Sequence, residues 1–130
     1  MRTMLLVLTA ALVATGSLYA HHSYSATYDV GHQIRLEGKL VQFAFKNPHS
    51  FVTVQAPDET GALQRWSIEW SGTSQLSDKG VTRETLKVGD QIVVVGNPSR
   101  VPGEFKALML SLKRPSDGFA WGGAGGETVD

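Results

Sequence analysis

The residues of this chain best suited to chemistry are its histidines, His21, His22, His32 and His49. If an N-terminal leader were removed after Ala20, His21 would become the first residue of the mature protein. An N-terminal histidine offers both its imidazole and its α-amino nitrogen to one metal ion, because an α-amino group with a pKa of about 8 readily loses its proton to a metal. Imidazole nitrogen suits Cu(II), which stands at the top of the affinity order for such sites. The sequence therefore predicts a copper site formed by His21, His22 and His49, with His32 as a further candidate ligand.

The same histidines also have a purely structural interpretation. His21 and His22 would then be a solvated chain terminus, and His49 would hydrogen-bond within the turn that Asn47 and Pro48 begin. Four scattered histidines do not reproduce the ligand spacing of a known metal motif. Both interpretations stay open at this point.

A second candidate site lies on the most regular strand of the chain, where polar and apolar residues alternate. The polar set is Arg65, Ser67 and Glu69, and the apolar set is Trp66, Ile68 and Trp70. Since alternate residues of a strand point to opposite faces, we expect the apolar set in the core and the polar set on an exposed ligand face. Any exposed strand shows such a polar alternation, so the alternative is that these polar residues only face solvent and bind no ligand.

Composition and motifs argue against several classes of function. Cysteine is absent, and the chain contains neither a Gly-x-Ser-x-Gly turn nor paired carboxylates flanked by apolar residues. A pair formed by Glu69 and His49 could perform acid–base chemistry if the fold brought the two together. Lysine plus arginine number 12, against 12 acidic residues, so no basic field exists to hold nucleic acid. These observations argue against nucleic acid as the ligand and favour a non-enzymatic role over an enzymatic one, which stays open.

The first 20 residues have the pattern of a secretory signal peptide. Arg2 supplies a positive start, and residues 5–18 are rich in Leu, Ala and Val. Leu18-Tyr19-Ala20 is one candidate cleavage site, and cleavage after Gly16 or Ser17 is the alternative. The stretch is too short for a good membrane span, so we expect none after cleavage. The predicted organisation is a signal peptide over residues 1–20, one domain over 21–114 and a flexible glycine-rich tail over 115–130. The predicted destination is the bacterial periplasm or the exterior.

Periodicity predicts five strands in the domain. The first begins at Ile34 and changes its buried face near Gly38 to Leu40, which indicates a bulge. The others cover residues 51–55, 65–70, 91–95 and 105–112, and the last would bury Leu108, Leu110 and Leu112.

Between the third and fourth strands the sequence predicts short helical pieces. Residues 71–73 offer an N-cap for a helix through Lys79, which Gly80 would end, and Thr82 would cap a further helical turn. Three strands, a helix and two strands, with the first strand kinked, form the element order of a five-stranded OB-type β-barrel. The predicted fold class is therefore all-β with a small α content.

Several motifs together resemble a family of small secreted bacterial proteins known as domain of unknown function 6152. They are Ala20-His21-His22-Ser23, Asn47-Pro48-His49, Trp66 with Glu69, and the segment from 80 to 90. The resemblance spans nearly all of the predicted domain. Two positions depart from it, since Val81 stands where the family often has tryptophan and Val88 where it often has proline. The resemblance implies an OB-type barrel but no established activity.

Three functional hypotheses follow. The first is an exported binding module that holds copper through the mature N-terminus and His49, similar to the histidine-brace type of copper protein. The second is a metal-free accessory module that binds a partner protein or small ligand on the face of strands two and three. The third is a small copper-dependent oxidase.

Overall fold

The computed structural model describes residues 24–123. Five strands of this part form a closed barrel, and a sixth strand extends it. Residues 24–27 are helical and are called α1. The remaining elements are β1 (Ile34–Ala44), β2 (Phe51–Pro57), β3 (Leu63–Glu69), α2 (Thr73–Asp78), β4 (Gln91–Pro98), β5 (Lys106–Arg114) and β6 (Phe119–Gly122).

The strand order confirms the predicted OB-type barrel. The strands pair in the order β3-β2-β1-β4-β5-β6, and a further pairing of β3 with β5 closes the ring. The closing pair is parallel and covers Ser67–Glu69 of β3 against Lys106–Leu108 of β5. The other pairings are antiparallel. The short helix α2 lies between β3 and β4 in the chain, as the sequence predicted.

Strand β1 is shared by both halves of the barrel. Its first part, from Ile34 to Lys39, pairs with β4, and its second part pairs with β2. The register shifts between Leu40 and Gln42, slightly beyond the bulge position that the change of face predicted. Gly38 has another role, because a Cβ there would lie 2.0 Å from the carbonyl oxygen of Gln55. That approach excludes every other residue type without a backbone shift.

The barrel interior holds one apolar core. On β3, Ile68 is buried and Trp66 packs against the core, and Trp70, directly after the strand, is also buried. The predicted inner face is therefore confirmed. Other buried core residues include Leu36, Leu40, Val52, Val54, Leu76, Val81, Ile92, Val94 and Met109.

The predicted inner face of β5 is wrong over most of its length. Ala107 and Met109 are buried, whereas Leu108 and Leu110 are only half-buried. Against β4, Met109 pairs with Gly96 but Ser111 pairs with Val95, so Leu110 is an extra residue. This irregularity reverses the alternation, and Leu112 is buried as predicted.

The connection from α2 to β4 contains less helix than predicted. Gly80 ends α2 with a φ of +79°, as its position suggested. Residues 83–85 form only a turn, in which the amides of Glu84 and Thr85 bond to Thr82. A second turn follows directly, in which the backbone N–H of Asp90 donates to the carbonyl oxygen of Lys87. The residues between the two turns are too few to extend a helix.

Part of the stretch assigned to the tail is a strand. Residues 119–122 form β6, which pairs with Ser111–Arg114 of β5. Trp121 packs edge-to-face against Trp70 with ring centroids 5.1 Å apart. Residues 124–130 lie outside the described part. Among residues 24–123, no helix has the length and apolarity needed to cross a membrane.

Candidate functional site

The segment of residues 24–29, called the N-terminal segment below, is fastened to the loop between β4 and β5. Tyr28 forms an isolated β-bridge with Ser99. Arg100 donates from its backbone N–H to the carbonyl of Thr27 (3.0 Å) and from Nε to that of Ser25 (2.6 Å). These bonds orient α1 so that Tyr24 and Tyr28 reach residues of β3 and of the turn after β1.

The turn between β1 and β2 contains Asn47, Pro48 and His49, and the peptide bond between Asn47 and Pro48 is cis. Asn47 Oδ1 accepts hydrogen bonds from Thr73 N–H and Thr73 Oγ1, both at 3.0 Å, and so caps α2 from a distant part of the chain. The N-cap position itself is Gly72, which has no side chain to do this. A Cβ on Gly72 would lie 2.6 Å from the carbonyl oxygen of Pro48. The turn and the helix start therefore form one unit, from which His49 projects.

Four side chains form a continuous hydrogen-bonded network centred on Glu69. His49 Nδ1 lies 2.6 Å from Glu69 Oε1, and Tyr28 donates its hydroxyl proton to Glu69 Oε2. On the other side of the imidazole, His49 Nε2 lies 2.9 Å from the hydroxyl of Tyr24. The network therefore runs from Tyr24 through His49 and Glu69 to Tyr28. Both imidazole nitrogens of His49 have hydrogen-bond partners.

The proton positions follow from the partners. An ionised carboxylate only accepts hydrogen bonds, so Nδ1 of His49 carries a proton toward Glu69. In the neutral imidazole Nε2 is then an acceptor, and Tyr24 donates to it. Burial raises the pKa of Tyr24, with a further contribution from the negative charge of Glu69. Burial and the hydrogen bond to Glu69 likewise raise the pKa of Tyr28. Both phenols therefore stay protonated at neutral pH.

The network borders a cavity of about 310 Å³. Glu69 is only 15% exposed there, whereas His49 is 37% exposed and reaches solvent. The indole Nε1 of Trp70 is buried and has no hydrogen-bond partner among residues 24–123. The cavity is lined by Tyr24, His49, Glu69, Trp70, Ser71, Gln75, Leu108 and Met109.

The predicted site residues are only partly brought together. His49 and Glu69 form the pair that acid–base chemistry would need. On β3, Arg65 is exposed, Ser67 is half-buried beside β5, and Glu69 is covered by the network, so the predicted ligand face is not one open surface.

The other metal-site candidates lie elsewhere. His21 and His22 are outside the described residues, and His32 pairs with Asp29 at 3.0 Å on the surface. Within residues 24–123, no three or more side chains of His, Cys, Asp or Glu are grouped so as to hold a metal.

Sequence reasoning missed both tyrosines of the network. Tyr24 and Tyr28 are four residues apart, the spacing that places two side chains on one face of a helical segment. That signal was present, but the segment is too short to show a full helical period. Its partners lie 25 and 41 residues further along the chain, which no local pattern reveals.

Comparison with known proteins places the chain in a family. Residues 9–107 match the Family of unknown function (DUF6152). The chain belongs to this family. All four residues of the hydrogen-bonded network lie within the matched region. No curated protein and no solved structure matches the chain.

Proposed function

We propose that this protein is an exported binding module that holds a copper ion between its mature N-terminus and His49 Nε2. The observation that carries the proposal is the orientation of His49. Its Nδ1 is bound to Glu69, so Nε2 is the nitrogen turned toward Tyr24, at the cavity that both residues line. Copper at Nε2 would take the place of the Tyr24 hydroxyl proton.

Glu69 gives His49 the surroundings typical of a metal-binding histidine. Such histidines commonly donate their other N–H to a carboxylate, which fixes the ring and makes the ligating nitrogen more basic. Here the carboxylate is itself held by the Tyr28 hydroxyl. The pair would therefore not need to rearrange when a metal binds.

The predicted N-terminus is close enough in the chain to supply the remaining ligands. His21 precedes Tyr24 by three residues, and three extended residues span at most about 11 Å. Tyr24 in turn contacts His49 Nε2. The α-amino nitrogen and imidazole of His21 are thus within reach of that atom, with His22 as a further ligand.

The test uses protein exported and processed by its native host machinery. Intact mass locates the N-terminus, and Cu(II) titration with electron paramagnetic resonance follows binding. We expect a chain that starts at His21 and binds one copper equivalent in a nitrogen-rich tetragonal site. His49→Ala, or one extra residue before His21, should weaken binding at least tenfold, whereas His32→Ala is the control and should not. A start before His21, or binding no tighter than that of a free His-His peptide, would refute the proposal.

The second candidate is a metal-free module that binds a small ligand in the same cavity. It is favoured by Trp70, whose buried Nε1–H lacks an acceptor among the described residues. A buried donor without a partner is costly. A ligand oxygen would satisfy it if the ring moved on binding, because the Nε1 atom is enclosed by the protein. Native mass spectrometry of protein from its host would then show a bound organic molecule, retained after chelation of metals. The alternative is wrong if the protein is isolated without any such mass.

A further inference from the structure

A larger cavity lies at the end of the barrel opposite α2. At this end β1 and β3 begin, β2 and β4 end, and β5 follows its connecting loop. The cavity, called the barrel-mouth cavity here, has a volume of about 480 Å³, within the range of small-ligand sites. None of the network residues described above lines it.

Its walls are largely apolar and aromatic. Trp66 and Phe105 pack edge-to-face with ring centroids 5.2 Å apart, and Ile34 lies beside them in the lining. The indole N–H of Trp66 donates to the carbonyl of Ala56 at 3.3 Å, so the ring is held in place by its polar end. A ligand would therefore meet preformed aromatic surface.

The charged residues in the lining are acidic. They are Asp58, Glu59 and Glu104, and no lysine or arginine belongs to the lining. His32 also lines the cavity, where its Nδ1 lies 3.0 Å from the carboxylate of Asp29. Hydrogen bonds from Thr60 and Gln64 hold the pKa of Asp58 at about 2, so this carboxylate is ionised at neutral pH. Lys106 lies outside the lining, with its Nζ 3.7 Å from Glu104 Oε1, and Glu104 Oε2 accepts a hydrogen bond from Ser99 Oγ at 2.7 Å.

We propose that the barrel-mouth cavity binds a small organic cation with an apolar body, an aromatic or alkyl monoamine. The ammonium group would lie near Glu59 and Glu104, and the apolar body would pack against Trp66 and Phe105. Electron-rich aromatic faces also attract cations, which adds to the carboxylate attraction. Charge complementarity excludes an anion of the same shape. The site is separate from His49, so it does not depend on the function proposed above.

The test is a titration with phenethylamine, followed by two-dimensional ¹H–¹⁵N NMR. We expect saturable shifts of the Trp66 indole signal and of the loops at residues 58–61 and 98–105. The matched anion 3-phenylpropionate should cause none of them. Equal binding of amine and anion, or no saturable shift with the amine, would overturn the proposal. Binding of a lysine-containing peptide without binding of the amine would overturn it as well, in favour of a protein partner.

Charge-removing variants sharpen the test. The double variant Glu59→Gln, Glu104→Gln should weaken amine binding about two- to fivefold, the range expected for partly exposed charges. Glu84→Gln is the control, since Glu84 is exposed in the connection between α2 and β4 and outside the lining. His49→Ala should bind the amine as the wild type does. If Glu84→Gln weakened binding as much as the double variant, the assignment to this cavity would be wrong.

Discussion

Glu69 is the residue on which the site depends. One oxygen accepts from His49 Nδ1 and the other from the hydroxyl of Tyr28, and the side chain is 15% exposed. A carboxylate that loses its water must have such donors, because an unpaired buried charge is strongly destabilising. The two donors therefore stabilise Glu69 and, through it, determine which nitrogen His49 turns toward the cavity.

Tyr28→Phe tests this arrangement through pH. Because the pKa of Tyr28 is raised above the value of about 10 in an unfolded chain, its contribution to stability is complete below that pH and declines as the pH rises above it. We expect the variant to lose about 1–2 kcal/mol at pH 7, since a hydrogen bond to a charged group disappears. Its stability should also fall less steeply than that of the wild type above pH 10. Denaturant titrations across this range measure both effects, and parallel pH profiles would contradict the expectation.

The site shows which chemistry a sequence can reveal and which it cannot. Residue types alone identified His49 and Glu69 as a candidate acid–base pair. The contact between His49 and Glu69, and the contacts of the two tyrosines with them, form only when the closed barrel brings distant parts of the chain together. Tyr24 and His49 are 25 residues apart, and Tyr28 and Glu69 are 41 apart. Those distances in sequence place the contacts beyond any local pattern.

At the scale of elements, the turn after β1 and the helix α2 stabilise each other. Asn47→Ala removes the acceptor of two hydrogen bonds from Thr73. We expect a loss of about 1 kcal/mol in the free energy of unfolding, as for other helix caps. Asn47→Asp keeps an acceptor and should cost less. Ser74→Ala, an exposed change on the same helix, is the control. Denaturant unfolding compares the three, and equal losses in Asn47→Ala and Ser74→Ala would count against the cap.

Element boundaries and buried faces were predictable only where the alternation is regular. The bulge in β1 left a visible change of phase, so its existence could be read from the sequence. In β5, an extra residue at Leu110 shifts the pairing with β4. All three leucines are apolar, so the sequence carries no polar marker of the face on which each lies. The register shift in β5 could therefore not be predicted from the sequence.

At the scale of the whole molecule, β6 extends the fold beyond the barrel ring. Trp121 packs against Trp70, which is 3% exposed, and Arg114 pairs with Asp117 in the turn before β6 and with Asp90. The glycines around Trp121 suggested a disordered tail, but the tryptophan supplies apolar contact that glycine-rich segments usually lack.

Trp121→Ala measures how much β6 contributes. Since the side chain is half-buried, we expect a loss of about 2 kcal/mol in the free energy of unfolding, below the loss for a fully buried tryptophan. The combined fluorescence of the two remaining tryptophans, Trp66 and Trp70, should also shift toward that of a solvent-exposed indole. Leu63→Ala is the control, because Leu63 is 62% exposed. Equal losses in the two variants would show that β6 does not stabilise the barrel.

The network residues come from three separate parts of the chain, so no single loop contains the site. Asn47, Pro48 and His49 are adjacent in the chain, and a graft of these residues into another loop would transfer the turn. It would not transfer Glu69 from β3 or Tyr24 and Tyr28 from the N-terminal segment, which orient and cover the imidazole. Transferring the site therefore requires the whole closed barrel together with its N-terminal segment. A tag fused directly before Tyr24 would be attached beside the cavity that Tyr24 and His49 line.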